Sequence, residues 1–142
     1  TAADLAKLDD VSFGIIYENW QKAFDIAPMA DGQRANHYVD GVEIMKAKKE
    51  KSKDDASKLA ADKLILSLYD QMAVCYPKEI GYALSRKAFD MFYMPSYGYS
   101  AETAAAFKNA IEKAGNSAEY IILEPIGLVV NYMFKNNLIN CF

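Results

Sequence analysis

The arrangement Trp20-x-x-Ala23-Phe24-x-x-x-Pro28, echoed by Phe107-x-x-Ala110 ahead of Gly115-Asn116, restricts the fold of this chain more than any other feature. A large aromatic, a small residue three positions on and a breaker beyond suit the second helix of a tightly packed helical hairpin. The aromatic fills the gap between neighbouring hairpins, the alanine admits a close backbone, and the breaker turns the chain into the next unit. Stacked hairpins of this kind build a binding surface and do not imply a reaction.

The 142 residues are one domain's worth of chain, enough to bury a core. Hydrophobic residues at 52% and charged residues at 25% are ordinary for a globular chain and argue against disorder. Seven glycines and four prolines are few for an all-β fold, whereas frequent Ala, Leu, Lys, Glu and Met favour helix. A formal charge of -3 argues against nucleic acid. The one basic stretch, Lys46 to Lys53, runs straight into Asp54-Asp55 and reads as a solvated helix end leading to a linker. The most apolar stretch, Tyr120 to Phe134, contains Glu124, Pro125 and Asn131 and is too short to span a bilayer, so no membrane insertion is expected. Cys75 and Cys141 are too few for a disulfide framework and read as two buried thiols, with one bridge left open for an extracytoplasmic chain.

Six helices are expected. The first covers Ser12 to Ala27, with Ile16, Trp20, Ala23, Phe24 and Ala27 at helical spacing, and stops at Pro28. The second starts from an Asp31 N-cap and fades into the lysines; Gly41 inside it calls for close packing. The third, Asp55 to Tyr76, would bury Ala61, Leu64, Ile65, Leu68, Met72 and Val74. The fourth, Pro77 to Tyr93, would bury Ile80, Ala83, Leu84, Ala88, Met91 and Phe92. The fifth follows a Ser100 cap, buries Phe107, Ala110 and Ile111, and ends at Gly115. The sixth would start from a capping box formed by Asn116 and Glu119, carry Ile122, Ile126, Val129, Val130 and Met133, and kink at Pro125. Connections this short give three antiparallel hairpins.

The spacing of Ile16, Trp20, Ala23 and Pro28, and again of Thr103, Phe107, Ala110 and Gly115, resembles the tetratricopeptide repeat. A closer likeness is to repeat-containing proteins common in Bacteroidetes. It rests on the order Trp20 to Pro28, Tyr38-Val39-Asp40-Gly41, Leu68-Tyr69-Asp70-Gln71, Gly81-Tyr82-x-Leu84-x-Arg86-Lys87 and Gly115-Asn116-Ser117-x-Glu119. The resemblance implies an all-α fold, a right-handed α-solenoid of about three antiparallel helical hairpins. Residues 1–142 would form a single helical-repeat domain and the N-terminal part of a longer solenoid. It also favours the cell envelope or periplasm, a compartment the residues themselves leave open. The apolar end at Asn140-Cys141-Phe142 agrees with an interrupted repeat array.

Chemistry is sparse. His37 is the only histidine, reads as a helix-surface or packing residue, and leaves no multi-histidine metal site. No phosphate loop, dinucleotide fingerprint or calcium loop occurs. No catalytic residue, metal or cofactor is expected, and the chain reads as a non-enzyme. The candidate partner-binding residues are a stripe on the fourth helix, Glu79, Tyr82, Arg86 and Asp90, continued by Tyr120 and Glu124. A second candidate is the loop tyrosines Tyr97 and Tyr99 beside Tyr93. The leading expectation is a scaffold module that holds a protein or extended peptide. Two others stand beside it: a structural segment that self-associates through exposed repeat ends, and a helical bundle that binds a small molecule, which a deep pocket holding Arg86 or His37 would favour.

Overall fold

A computed structural model describes all residues except 30, 31, 33 and 139–142, so the expected Asp31 cap and Cys141 lie outside the described residues. The described residues are helical and contain no strand: α1 (Ala2–Ala6), α2 (Asp10–Ile26), α3 (Asn36–Lys51), α4 (Asp55–Cys75), α5 (Ile80–Tyr93), α6 (Ala101–Ala114) and α7 (Leu123–Lys135). Single 3-10 turns at Pro77–Glu79, Gly115–Ser117 and Tyr120–Ile122 join them. The chain forms two compact units, 1–76 and 77–142.

In the first unit the starts of α2 and α4 are set by side chains that satisfy orphan backbone donors, whereas α3 begins after Ala35 with no side-chain cap. Asp9 accepts from the Ser12 amide at 2.9 Å and Asp54 from the Ser57 amide at 2.8 Å. α3 and α4 pair antiparallel. Near their connection Lys49 Nζ donates to Asp62 Oδ1 at 2.6 Å, and at the far ends the Tyr38 hydroxyl donates to Cys75 Sγ at 3.4 Å. Between them Met45, Ile65, Leu68 and Met72 are buried, each worth about 1.5–3 kcal/mol of transfer free energy. Burial first, and the Cys75 contact second, raise the Tyr38 pKa above the ordinary tyrosine value, so its hydroxyl stays a donor.

Gly41 explains how α2 lies against α3. A Cβ there would overlap the Trp20 ring and come within 3.2 Å of Leu68 Cδ1. The indole settles on the bare backbone and donates from Nε1 to the His37 carbonyl at 2.9 Å. Ala23, expected inside, is exposed. The lysines are not simply a solvated helix end. Lys49 pairs with Asp62, Lys51 Nζ reaches Asp10 Oδ1 at 3.0 Å and the Leu8 carbonyl at 2.8 Å, and Lys48 Nζ sits 3.9 Å from the Tyr17 ring centroid. Their long stems let the ammonium groups reach α2 and α4 while the chain of each packs flat.

In the second unit α5 and α6 form the antiparallel pair. Gly81 near the start of α5 meets the Ser117 backbone, so close that no Cβ would fit. At the opposite end Gly98, with φ +44, folds the connecting loop back by donating to the carbonyls of Met91 and Met94. Ser100 caps α6 by accepting from the Thr103 amide at 3.1 Å, and Gly115, at φ +51, ends it. Phe107, Ala110 and Thr103 are buried, whereas Ile111 and Val130 are exposed.

Two expectations fail here for physical reasons. Pro125 neither kinks nor breaks a helix, because α7 starts at Leu123 and places Pro125 in the first turn, where the missing N–H has no partner to lose. Asn116 and Glu119 form no capping box, because Glu119 is drawn to a tertiary partner, Arg86. In the first unit Leu64 and Val74 are also exposed, so the buried face of α4 is narrower than its apolar residues suggest.

Candidate functional site

The second unit carries all the expected site residues. Tyr82, Arg86 and Asp90 follow one another at four-residue spacing on α5, half-buried, and Glu79 precedes them in the 3-10 turn. Arg86 is anchored within the unit. Its Nε donates to Glu119 Oε2 at 2.6 Å, its terminal nitrogen to Oε1 at 3.4 Å, and its guanidinium carbon stands 5.4 Å from the centre of the Tyr82 ring. The Glu119 amide donates to the buried Ser85 Oγ at 2.9 Å. The fork and the stacked ring therefore fasten the segment after α6 onto α5. Tyr120 and Glu124 are exposed beside that segment; Tyr120, at 82%, is among the most open aromatic side chains of the described residues.

The loop tyrosines belong to a larger aromatic array. Phe89 and Phe92 each contact Tyr93 with ring centroids 4.9 Å apart, Phe92 contacts Tyr99 at 5.2 Å, and Tyr99 contacts Tyr132 of α7 at 4.9 Å. Tilted and edge-on ring pairs of this kind contribute about 0.5–1.5 kcal/mol each beyond area burial. They fix the rings while leaving Tyr93, Tyr99 and Tyr132 exposed. Tyr97 is half-buried in the loop turn. Tyr132, Phe89 and Phe92 went unrecognised as site residues in the sequence. The signal was there in part, since Phe89 and Tyr93 are four apart on a helix, but only the fold brings Tyr132 to the loop.

A groove of about 430 Å³ runs between α6 and α7, walled by Phe107, Ile111, Ile126 and Val129, with Lys108 and Glu112 among its lining residues. The array and the groove are apolar surface features of this unit.

The first unit has a cleft of its own, about 450 Å³, bounded by α1, α2 and α3. Trp20 and Ile16 form one wall and Ile44 another, with His37, Asp40 and Glu43 as its polar side chains from α3. The Glu43 Oε2 accepts from the Ala2 amide at 2.7 Å, which ties α1 to α3. His37 Nδ1 is buried without a hydrogen-bond partner among the described residues.

Among the described residues no three or more His, Cys, Asp or Glu side chains gather as a metal-binding group, and no helix is long and apolar enough to cross a membrane. Compared with protein-family models, curated proteins and solved structures, the chain matches none of them.

Proposed function

We propose that this chain is a non-enzymatic scaffold module that holds a protein or extended peptide, built from degenerate tetratricopeptide-like hairpins in a right-handed solenoid. The reading extends the likeness to Bacteroidetes repeat proteins, with the cell envelope or periplasm as the compartment that likeness favours. The observation that carries it is the ring array from Phe89 to Tyr132, fixed by mutual contact yet open to solvent at Tyr93, Tyr99 and Tyr132. Rigid, partly exposed aromatics lose little entropy on binding and supply the anchors that dominate interface energies. Tyr97, Tyr120 and Glu124 extend the same proposed surface, and Glu79, Tyr82, Arg86 and Asp90 complete it along α5. Selection of peptides from a displayed random library, counter-selected on a Tyr99→Ser, Tyr132→Ser variant, tests this. Enrichment of a shared motif on the parent alone is expected; equal enrichment on both proteins would remove the array from the account.

A second reading, the segment of a longer solenoid, draws on α7. Leu123, Val130 and Phe134 are exposed along one side of that helix, at the edge of the groove that Val130 also lines, an apolar strip suited to a further repeat or a second copy. Sedimentation velocity across a hundredfold concentration range tests it, with reversible self-association expected and a strictly monomeric chain as the contrary result.

A further inference from the structure

We infer that the groove between α6 and α7 takes α6 of a second copy of this chain, in a two-fold symmetric, antiparallel pairing. The pairing rests on the second reading above, association with another copy, and specifies the helix and the register through which it occurs.

The groove has the shape for a helix. Phe107 and Val129, both buried, form its floor, while Ile111 and Val130 stand exposed at its sides. Its volume of about 430 Å³ accepts a branched side chain together with the small residues beside it. α6 itself offers such a face. Ala104 and Ala105 line the groove one to two turns before Ile111, so a second backbone can approach closely there. Ile111, 49% exposed, is the side chain that enters the neighbour's groove. Each copy thus supplies both the groove and the helix that fills it, which is the condition for a closed two-fold interface.

Charge points to a second copy rather than to an unrelated helix. Among the residues that line the groove, Lys108 and Glu112 are the charged ones. They stand four apart on α6, both well exposed, with Nζ 3.8 Å from Oε1. An exposed helix pair of this spacing is worth only about 0.3–0.5 kcal/mol, so exchanging its partners costs little. Opposite charges on one helix complement a copy of themselves when the copies run antiparallel. With the axis level with Ala110, Lys108 of each copy faces Glu112 of the other, and the two Ile111 side chains meet beside the axis. A parallel pairing in the same register would set lysine against lysine and glutamate against glutamate, so charge selects the antiparallel one.

The test is sedimentation velocity of the full chain, of the Lys108→Glu and Glu112→Lys variants, and of the two variants mixed in equal amounts. Both side chains are exposed, and an unchanged helical circular dichroism spectrum confirms that each variant folds. The parent should dimerise reversibly. Each variant alone places like charges opposite one another twice, and should raise the dissociation constant about tenfold or more. In the mixture, position 108 of one variant meets position 112 of the other with opposite sign, so dimers should return at the concentrations where the parent forms them. Two results overturn the pairing while leaving the second reading in place: a parent dimer indifferent to both substitutions, or a mixture that associates no better than its components. A parent that stays monomeric throughout overturns the second reading and this pairing together.

Discussion

Arg86 and Glu119, 33 residues apart, meet in a two-pronged ion pair, with Nε to Oε2 at 2.6 Å and the terminal nitrogen to Oε1 at 3.4 Å. The same glutamate offers its amide to Ser85 Oγ, so one residue is held by both backbone and side chain. The pair is about a third exposed, which places its value near the upper end for surface pairs, about 1 kcal/mol. Ser85 is fully buried, so Ser85→Ala leaves the Glu119 amide without its acceptor and should cost about 1–3 kcal/mol. Urea unfolding of both single variants and of the double variant Ser85→Ala, Glu119→Gln checks this. The double variant should lose less than the sum, because both bonds hold the same segment.

Lys49 and Asp62 make a different kind of pair. The Asp62 side chain is 3% exposed, and its ammonium partner closes it off. Lys49→Met should cost about 3–5 kcal/mol by leaving a buried carboxylate unpaired. Lys49→Met with Asp62→Leu should recover most of that loss, since two apolar side chains need no partner. Thermal melts of the two variants decide; equal losses would mean that the pair itself, and not the unpaired charge, carries the energy.

The two close glycine contacts should respond unequally. At Gly81 the obstacle to a methyl group is the Ser117 backbone, so Gly81→Ala should cost about 1–3 kcal/mol or more by forcing the segment after α6 away. At Gly41 the obstacle is a side chain, so Gly41→Ala should push Trp20 off α3 and break its bond to the His37 carbonyl. A red-shifted tryptophan emission in the folded Gly41→Ala variant is the expected signature; an unchanged spectrum would contradict the packing.

Acid sensitivity should arise partly at helix starts. Hydrogen bonds from Ser12, hydroxyl before amide, lower the pKa of Asp9, and those from Ser57, amide foremost, lower that of Asp54. A lowered native pKa gives stability that is present above the unfolded value of about 3.8 and is lost as pH falls through the native one. An Asp9→Ala, Asp54→Ala variant should therefore be less stable than the parent at pH 6 and approach it below the native values. Unfolding curves between pH 6 and pH 2 would show a constant gap if the caps were not responsible.

How much of this was legible in the sequence depended on whether the determining partner was local. Asp54, Ser100 and Gly115 act within four residues, and the helices they bound lie where they were expected. The helix before Pro28 also ends on time, at Ile26. α1 escaped notice because five residues give no periodicity to read. The pairing of Lys49 with Asp62 was hidden because nothing adjacent marks an aspartate for burial, and the spacing of Asn116 and Glu119 imitated a cap whose glutamate had a stronger partner 33 residues away. For the candidate site, Tyr99 could be noted as a loop aromatic, but its neighbour Tyr132 comes from α7 and only tertiary structure unites them.

Recognition of a peptide by the ring array can be measured by calorimetry, titrating a library-selected peptide into the parent and into the Tyr99→Ser, Tyr132→Ser variant. Anchor residues typically contribute at least 2 kcal/mol, so one-to-one binding should weaken about thirtyfold or more in a variant with an unchanged helical spectrum. Undiminished affinity in that variant would show that the rings do not hold the peptide.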